Sequence, residues 1–336
     1  MDAIILREAG GFGDILQVGS VVPFLQAKGY TVHFYTMSDP AIVELVKLIR
    51  GISYVHPLRM VLKDRRQRTD VNIRKHPYLY PVSTHVLGTG ARPPKNKLFD
   101  MFCPAWRFEQ IALNKGSAPG GSRAQAFVVA SGFDESQTKP TKLKRPPNVD
   151  GLMRFVTAKL GDRYIIYAPT SKDYARLVPP ALAQDLLGKL VDNFGPVVVL
   201  AHNRHHDERP PSMPNVLWYP WDFSPDLDRS TLMLQTIELV SHARAAVVVD
   251  SFTMHLAGSF GIPTICIGGP TITEIVSNHY PTVHPCNPSG GPQCCGCYYR
   301  AERGFVPAKC RDEKLGCRVI GSVTSGDLLP ELERLL

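Results

Sequence analysis

The stretch VVVDSFTMHLA, residues 247–257, decides the fold of this chain. A run of β-branched residues ends abruptly in Asp250 and Ser251, and a helical pattern of small residues follows. This pattern predicts a buried parallel strand that delivers polar groups to the N-terminus of a helix. In an open α/β sheet such a junction lies at the carboxyl edge, where ligands bind. Helix N–H groups and the helix dipole favour phosphate there, and Thr253 and His255 add donors, so we expect a nucleotide diphosphate as ligand.

The length of 336 residues exceeds one typical domain, so we expect two domains, residues 1–150 and 151–336. The Pro- and Lys-rich stretch 138–147 is typical of a linker between them. The hydrophobic content of 44% is that of a soluble globular protein. Neither a transmembrane segment nor a secretory signal is visible, which predicts a cytoplasmic protein, with a peripheral position at the inner membrane as the alternative.

Both halves show alternating strand and helix patterns, which predict an α/β fold with parallel sheets. In the first half we expect strands at 3–6 and 32–35, helices at 15–28 and 40–50, and a further strand at Phe127–Ala130. In the second half we expect strands at 164–168, 197–201, 246–250 and 264–268, and helices at 180–193, 227–242, 253–260 and 325–336.

The net charge of +8 is unevenly distributed. Residues 1–150 carry 21 Lys and Arg against 12 Asp and Glu, whereas residues 151–336 carry 17 against 18. The excess is concentrated between Arg59 and Lys75. This run is either a solvated loop or a basic wall that attracts a polyanion such as a phosphorylated glycolipid or a nucleic acid.

A glycine-rich turn, Gly10-Gly11-Phe12-Gly13-Asp14, follows the first strand. Glycines there permit a tight turn and a close approach of the backbone to a ligand. The turn is not a GxGxxG fingerprint and no acidic residue ends the second strand, so a redox cofactor is not predicted. Asp14 lies where a helix begins, and one interpretation is a helix-capping carboxylate.

Five of the eight cysteines lie within residues 294–317, which favours metal over disulfides in a chain without a signal peptide. Their spacing suits one closed tetrahedral thiolate site for zinc or iron, which would fasten the loop and perform no chemistry. Free thiols or redox-sensitive pairs are the alternative, and Cys103 and Cys266 are expected to be ordinary buried thiols. The predicted ligands are Cys294, Cys297, Cys310 and Cys317, with Cys286 and Cys295 as substitutes.

Two further clusters favour structural roles. The aromatic residues 218–221 are more typical of a packed loop than of a stacking platform for a nucleobase. The histidines and acids of 202–208 are typical of a solvated loop.

Three motifs together resemble glycosyltransferase family nine, the bacterial heptosyltransferases. They are the segments 11–16 (GFGDIL), 250–264 (DSFTMHLAGSFGIPT) and 269–271 (GPT). The segment 167–176 is similar to the donor-side loop of that family, and the Cys-rich segment 286–317 is similar to the tail of autotransporter heptosyltransferases. The match is poor over about 55–150.

The resemblance implies a GT-B fold, in which two Rossmann-like doubly wound domains face each other across a cleft. The N-terminal domain would bind the acceptor, with Gly10, Gly11 and Gly13 in the acceptor-side loop. Asp14 would act as the general base in an inverting transfer.

The same resemblance places the nucleotide-sugar donor on the C-terminal domain. Its diphosphate would lie on the turn formed by Thr253, Met254 and His255, beside Asp250 and Ser251, without a divalent metal ion. The opposite loop would contribute Thr170, Ser171 and either Arg176 or Lys172. Two points stay open: Phe252 stands where the family usually has Gly, and His255 is alternatively a core histidine.

The leading hypothesis is therefore a glycosyltransferase that acts on a polyanionic or macromolecular acceptor such as a lipopolysaccharide core. Modified DNA bases and proteins are alternative acceptors. A non-catalytic, metal-stabilised nucleic-acid-binding protein is a hypothesis of another class, but aromatic residues are not interleaved with the basic run as stacking would require. The sequence does not indicate an oligomeric state.

Overall fold

The computed structural model describes residues 2–7, 11–58, 97–100, 122–131, 133–147, 151–171, 176–200, 211–223, 227–271, 273–287 and 320–336. Within these ranges the chain forms two parallel sheets, one from each half, with helices packed on them. This is the α/β architecture that the alternating sequence pattern predicts.

The first sheet has the order β3-β2-β1-β4 in the described residues, and its paired strands run parallel. Alternate residues of its central strands, such as Ala3, Ile5, Val32 and Phe34, are fully buried. The strands are β1 (Asp2–Arg7), β2 (Thr31–Met37), β3 (Ile52–Leu58) and β4 (Lys97–Asp100). The helices are α1 (Phe12–Gly19), α2 (Val22–Ala27), α3 (Pro40–Leu48) and α4 (Arg123–Ala130).

Two predictions for the first half are wrong. The single helix expected at 15–28 is two helices, because the chain turns at Ser20 and Val21 and Pro23 starts a new first turn. The strand expected at Phe127–Ala130 is the second half of α4. A short apolar run does not distinguish a strand from a buried helix.

The stretch 138–147 packs against the first half of the chain. Leu143 forms an isolated antiparallel bridge with Ile49. The Thr141 hydroxyl is buried and donates a hydrogen bond to the main-chain carbonyl of Leu16. A short 3₁₀ turn, Glu135–Gln137, precedes the stretch 138–147. The segment expected to be a linker is thus anchored on α1 and α3.

The second sheet has the order β10-β9-β8-β5-β6-β7 within the described ranges, again with parallel pairs. Its strands are β5 (Ile165–Ala168), β6 (Val197–Leu200), β7 (Val216–Tyr219), β8 (Ala245–Val249), β9 (Thr264–Ile267) and β10 (Val283–Cys286). The helices of this half are α5 (Leu152–Leu160), α6 (Pro180–Phe194), α7 (Arg229–His242), α8 (Phe252–Phe260), α9 (Thr273–Ser277) and α10 (Ser325–Leu335).

The aromatic residues 218–221 belong to β7 and the turn after it, and they pack inward. Tyr219 is buried and its hydroxyl donates a hydrogen bond to Gln235 of α7 at 2.7 Å. Trp218 and Trp221 are half-buried against the core on the other face of the sheet. These side chains therefore pack into the protein and do not form an exposed stacking platform.

The order of strands reverses between β5 and β8, and also between β1 and β4. The loops after such neighbouring strands diverge and leave a crevice at the carboxyl edge, which is the usual ligand site of open α/β sheets. The two halves meet through α1 on α8 and α3 on α7, and one hydrophobic cluster extends across both. The first residues of α1 and α8 thereby meet, with the rings of Phe12 and Phe252 in contact.

Candidate functional site

The crevice of the second sheet is lined by the loops that follow β5 and β8. Thr170 and Ser171 come directly after β5, and both are buried. Asp250 and Ser251 come directly after β8, on the other side of the crevice. The structure thus brings together four of the residues that the sequence predicts for donor binding.

Arg176 and Asp250 form a partly buried ion pair across this crevice. The Arg176 Nη1 donates to Asp250 Oδ2 at 3.1 Å and to the Asp250 main-chain carbonyl at 3.1 Å. Burial by itself would raise the pKa of Asp250, but Arg176, His255 and a hydrogen bond from Thr271 hold it below its ordinary value. Arg176 is therefore oriented by a carboxylate, whereas Lys172, the competing basic residue, lies outside the described residues.

The N-terminus of α8 carries the features of an anion site. Ser251 is its N-cap, with extended backbone and no side-chain hydrogen bond to the first turn. The Ser251 hydroxyl oxygen is buried and makes no hydrogen bond. Helix N–H groups that lack a side-chain cap, next to a buried hydroxyl, suit a phosphate oxygen.

The next residues of α8 differ in what their side chains can reach. Thr253 is 6% exposed and lies in the first turn. Met254 is fully buried in the hydrophobic core, so a contact from it to a donor would come from its backbone.

Asp14 lies at the N-terminus of α1 and is held by three groups. Its Oδ1 is 2.7 Å from Nη1 of Arg123, and its Oδ2 accepts the Gly11 N–H at 2.7 Å and lies 3.8 Å from Nη2 of Arg7. Burial raises the pKa of Asp14, but Arg123, Arg7, the Gly11 amide and His255 together lower it below its ordinary value. Asp14 is therefore a carboxylate at neutral pH, and it also supports the helix start through Gly11.

The glycine turn lets α1 approach α8 closely. A Cβ atom on Gly13 would lie only 2.5 Å from Cδ2 of His255, so no other residue fits here without displacement. Gly11 is the N-cap of α1, and Gly10 lies outside the described residues. The sequence predicts that the backbone at these glycines approaches a ligand, whereas the group that the structure shows beside Gly13 is the side chain of His255.

His255 is buried between the two halves and both of its ring nitrogens are engaged. Its Nε2 lies 3.2 Å from Nε2 of Gln17, and its Nδ1 lies 3.2 Å from the hydroxyl of Tyr280. Burial lowers the pKa of His255 to about 4, which outweighs the opposing effect of Asp250 and Asp14. The imidazole is therefore neutral at physiological pH.

An aromatic contact joins the first residues of α1 and α8. The rings of Phe12 and Phe252 are 4.9 Å apart between centroids. The Arg229 guanidinium lies 5.3 Å from the Phe12 ring and forms a 2.5 Å ion pair with Asp39 at the start of α3. Phe252 thus packs across the interface between the two halves.

Several residues of this site are given no role by the sequence: Arg7, Gln17, Arg123, Thr271 and Tyr280. Thr271 lies in the GPT motif, and Arg7 carries a usable signal as a charged residue at the end of an apolar strand, three positions before the glycine turn. Arg123 is 109 positions from Asp14 in sequence and no local pattern marks it. Gln17 and Tyr280 acquire their role only when α1 and α8 pack.

The predicted metal ligands Cys294, Cys297, Cys310 and Cys317 lie outside the described residues, as do the basic run 59–75 and the histidines of 202–208. Among the residues that are described, no group of three or more His, Cys, Asp or Glu side chains is arranged to hold a metal ion. Cys266 is a buried free thiol, as expected, and Cys286 is half-buried and free.

Comparison with known proteins supports the fold. No protein-family model matches the sequence, and no curated protein is found as a relative. Among solved structures, the E. coli ADP-heptose LPS heptosyltransferase II aligns over 100% of this chain and 98% of its own, with a TM-score of 0.60 and 12% identity. The family 9 glycosyl transferase of Veillonella parvula DSM 2008 aligns over 99% and 97%, with a TM-score of 0.61 and 11% identity.

A third similar structure is TibC, the iron-containing dodecameric glycosyltransferase of enterotoxigenic E. coli H10407. It aligns over 99% of this chain and 76% of its own, with a TM-score of 0.61 and 14% identity. These similarities show that the chain has the α/β fold of GT-B glycosyltransferases.

No helix in the described part of the chain is long and apolar enough to span a membrane.

Proposed function

We propose that this protein is a glycosyltransferase that moves a sugar from a nucleotide-sugar onto a hydroxyl group of a large or anionic acceptor. One observation carries the proposal: α1, which carries Asp14 in its first turn, packs against α8, and Phe12 contacts Phe252 where the two helices begin. A base and an anion seat, one from each half, therefore face each other. The similarity of the whole chain to three glycosyltransferase structures supports the same activity.

The proposed reaction uses Asp14 as general base. Asp14 takes the proton of the acceptor hydroxyl while that oxygen attacks the anomeric carbon. The bond from this carbon to the diphosphate oxygen breaks, and the nucleoside diphosphate leaves with the electron pair. Because the hydroxyl attacks from the side opposite the leaving group, the anomeric centre is inverted. The N–H groups of α8 and the Ser251 hydroxyl would stabilise the charge that develops on the leaving group, so no divalent metal ion is required for the step.

The class of acceptor is proposed from the distribution of charged residues along the sequence. The excess of Lys and Arg over Asp and Glu lies entirely within residues 1–150, the half that contributes Asp14. A polyanionic glycolipid such as a lipopolysaccharide core fits this distribution, because its phosphates would be attracted to the side from which the hydroxyl must approach. A modified DNA base or a protein is the alternative acceptor.

Nucleoside diphosphate release tests the activity. The purified protein is incubated with a panel of nucleotide-sugars, with and without lipopolysaccharide core, glucosylatable DNA or protein acceptors. ADP-heptose belongs in the panel because a solved structure of the same fold is an ADP-heptose transferase. We expect release from one donor, stimulated by one acceptor.

An absence of release from every donor would count against the enzyme. If salt-dependent DNA binding then survived in Asp14→Ala and His255→Ala, the non-catalytic nucleic-acid-binding alternative would be supported instead.

A further inference from the structure

The ring of His255 is packed against α1 and Tyr280. Its Nε2 meets Gln17 of α1 and its Nδ1 meets Tyr280, at 3.2 Å each. The side chain is only 4% exposed. With both nitrogens engaged, neither can donate a hydrogen bond to a phosphate in this arrangement.

The partners of His255 occupy both ring nitrogens of a neutral imidazole. One nitrogen of a neutral ring donates and the other accepts, and the Gln17 side-chain amide and the Tyr280 hydroxyl can each take either role. Burial lowers the pKa of His255 to about 4, so the ring is neutral at physiological pH. Tyr280 is itself fixed, because its ring packs on Gly258 of α8 and lies tilted against the ring of His279, 3.8 Å away between centroids.

The hydrogen bond between Gln17 and His255 lies one helical turn after Asp14 on α1 and one turn after Ser251, the N-cap of α8. Gln17 follows Asp14 by three positions on α1, and His255 follows Ser251 by four positions at the start of α8. Side chains at these spacings share one helix face. The bond therefore joins the helix that carries the base to the helix that carries the anion seat, and Gly13 provides the space that the ring occupies.

We infer that Gln17 and His255 form a positioning pair that sets the distance between Asp14 and the donor diphosphate, and that His255 is not itself a ligand of the diphosphate. The inference rests on the proposed glycosyl transfer and deepens it. A base that is misplaced by about 1 Å can lose on the order of 100-fold in rate without any loss of ligand affinity.

The test separates turnover from donor affinity. Gln17→Met removes the amide at similar length, His255→Phe removes both nitrogens but keeps a ring, and the double variant combines them. For each we would measure kcat with the active donor and the Kd of the matching nucleoside diphosphate by calorimetry. We expect kcat to fall at least about ten-fold in each single variant, no further large fall in the double variant, and a Kd within about two-fold of the wild type.

Gln26→Met on α2 is the matched control, because Gln26 is exposed and its side-chain amide lies against Gly51, just before β3. It should leave kcat and Kd unchanged. Thermal melting identifies any variant that fails to fold. Tyr280→Phe then replaces that variant, since it removes the partner of Nδ1 without touching α1, and it should lower kcat with unchanged Kd.

Two outcomes would overturn the inference. A Kd raised about ten-fold or more by His255→Phe but not by Gln17→Met would make His255 a diphosphate ligand, and an unchanged kcat in Gln17→Met would remove the positioning role. Failure of the proposed function looks different, because the wild type itself would then release no nucleoside diphosphate.

Discussion

At the scale of single residues, Asp14 as the proposed general base meets two opposing demands. A general base must be ionised at the working pH, yet it must also be basic enough to accept a proton in the transition state. Arg123 and Arg7 ensure ionisation because their charges keep the pKa of Asp14 low. The same charges weaken Asp14 as a base, so Arg123 is the residue that tunes this compromise.

Replacement of Arg123 should therefore move the pH profile of the enzyme. In the wild type, kcat/KM falls on the acidic side as Asp14 becomes protonated. Arg123→Gln removes the largest charge that lowers the Asp14 pKa, so this pKa rises and the acidic limb should move to higher pH. Arg123→Lys keeps the charge and should leave the limb near its original position. If kcat/KM fell at the same acidic pH in the wild type and in both variants, then either Asp14 is not the titrating base or Arg123 does not lower its pKa.

Secondary-structure elements were predictable where a pattern was long or ended in a distinct signal. The β8–α8 junction is an example, because three valines stop at Asp250 and Ser251 and the strand and helix lie within one residue of their expected bounds. Residues 127–130 show the opposite. Their four apolar letters fit a strand, and only the polar residues from Arg123 onward, together with packing on α1, make them helix.

The close packing of α8 gives a stability prediction. A Cβ atom on Gly258 would collide with the Tyr280 ring, whereas one on Gly188 of α6 would meet nothing within 4 Å. Gly258→Ala should lower the free energy of unfolding by about 1–3 kcal/mol because the site is overpacked. Gly188→Ala should raise it by about 0.5–1 kcal/mol, since alanine favours a helix interior. Urea unfolding measures both, and a Gly258→Ala protein as stable as Gly188→Ala would show that Tyr280 does not pack here.

At the scale of the whole molecule, the contacts between the two halves were not predictable from the sequence. The sequence motifs assign Asp14 to one half and residues 250–255 to the other, but no pattern pairs Gln17 with His255 or Phe12 with Phe252. These pairs arise from the packing of α1 on α8, which local periodicity does not encode. The resemblance to a two-domain family predicts that the two halves face each other, and the structure shows which residues form the contacts between them.

The cysteine-rich segment gives a prediction for the intact protein. Cys294, Cys297, Cys310 and Cys317 should hold about one zinc or iron ion per chain, as a closed four-thiolate site does. Elemental analysis of the purified protein should find this ion, and Cys297→Ser should lose most of it. Cys266→Ala is the control, because Cys266 is a buried free thiol and its replacement should leave the metal content unchanged. A wild-type protein without zinc or iron would contradict the site.

The central claim is that Asp14 and the start of α8 together perform glycosyl transfer, and one measurement tests it most directly. Nucleoside diphosphate release from the active donor, in the presence of acceptor, is compared between the wild type and Asp14→Asn, with the nucleoside diphosphate Kd measured for both. The account predicts that Asp14→Asn lowers kcat by about 10²–10⁴-fold while the Kd stays nearly the same. An Asp14→Asn protein that turns over as fast as the wild type would contradict it.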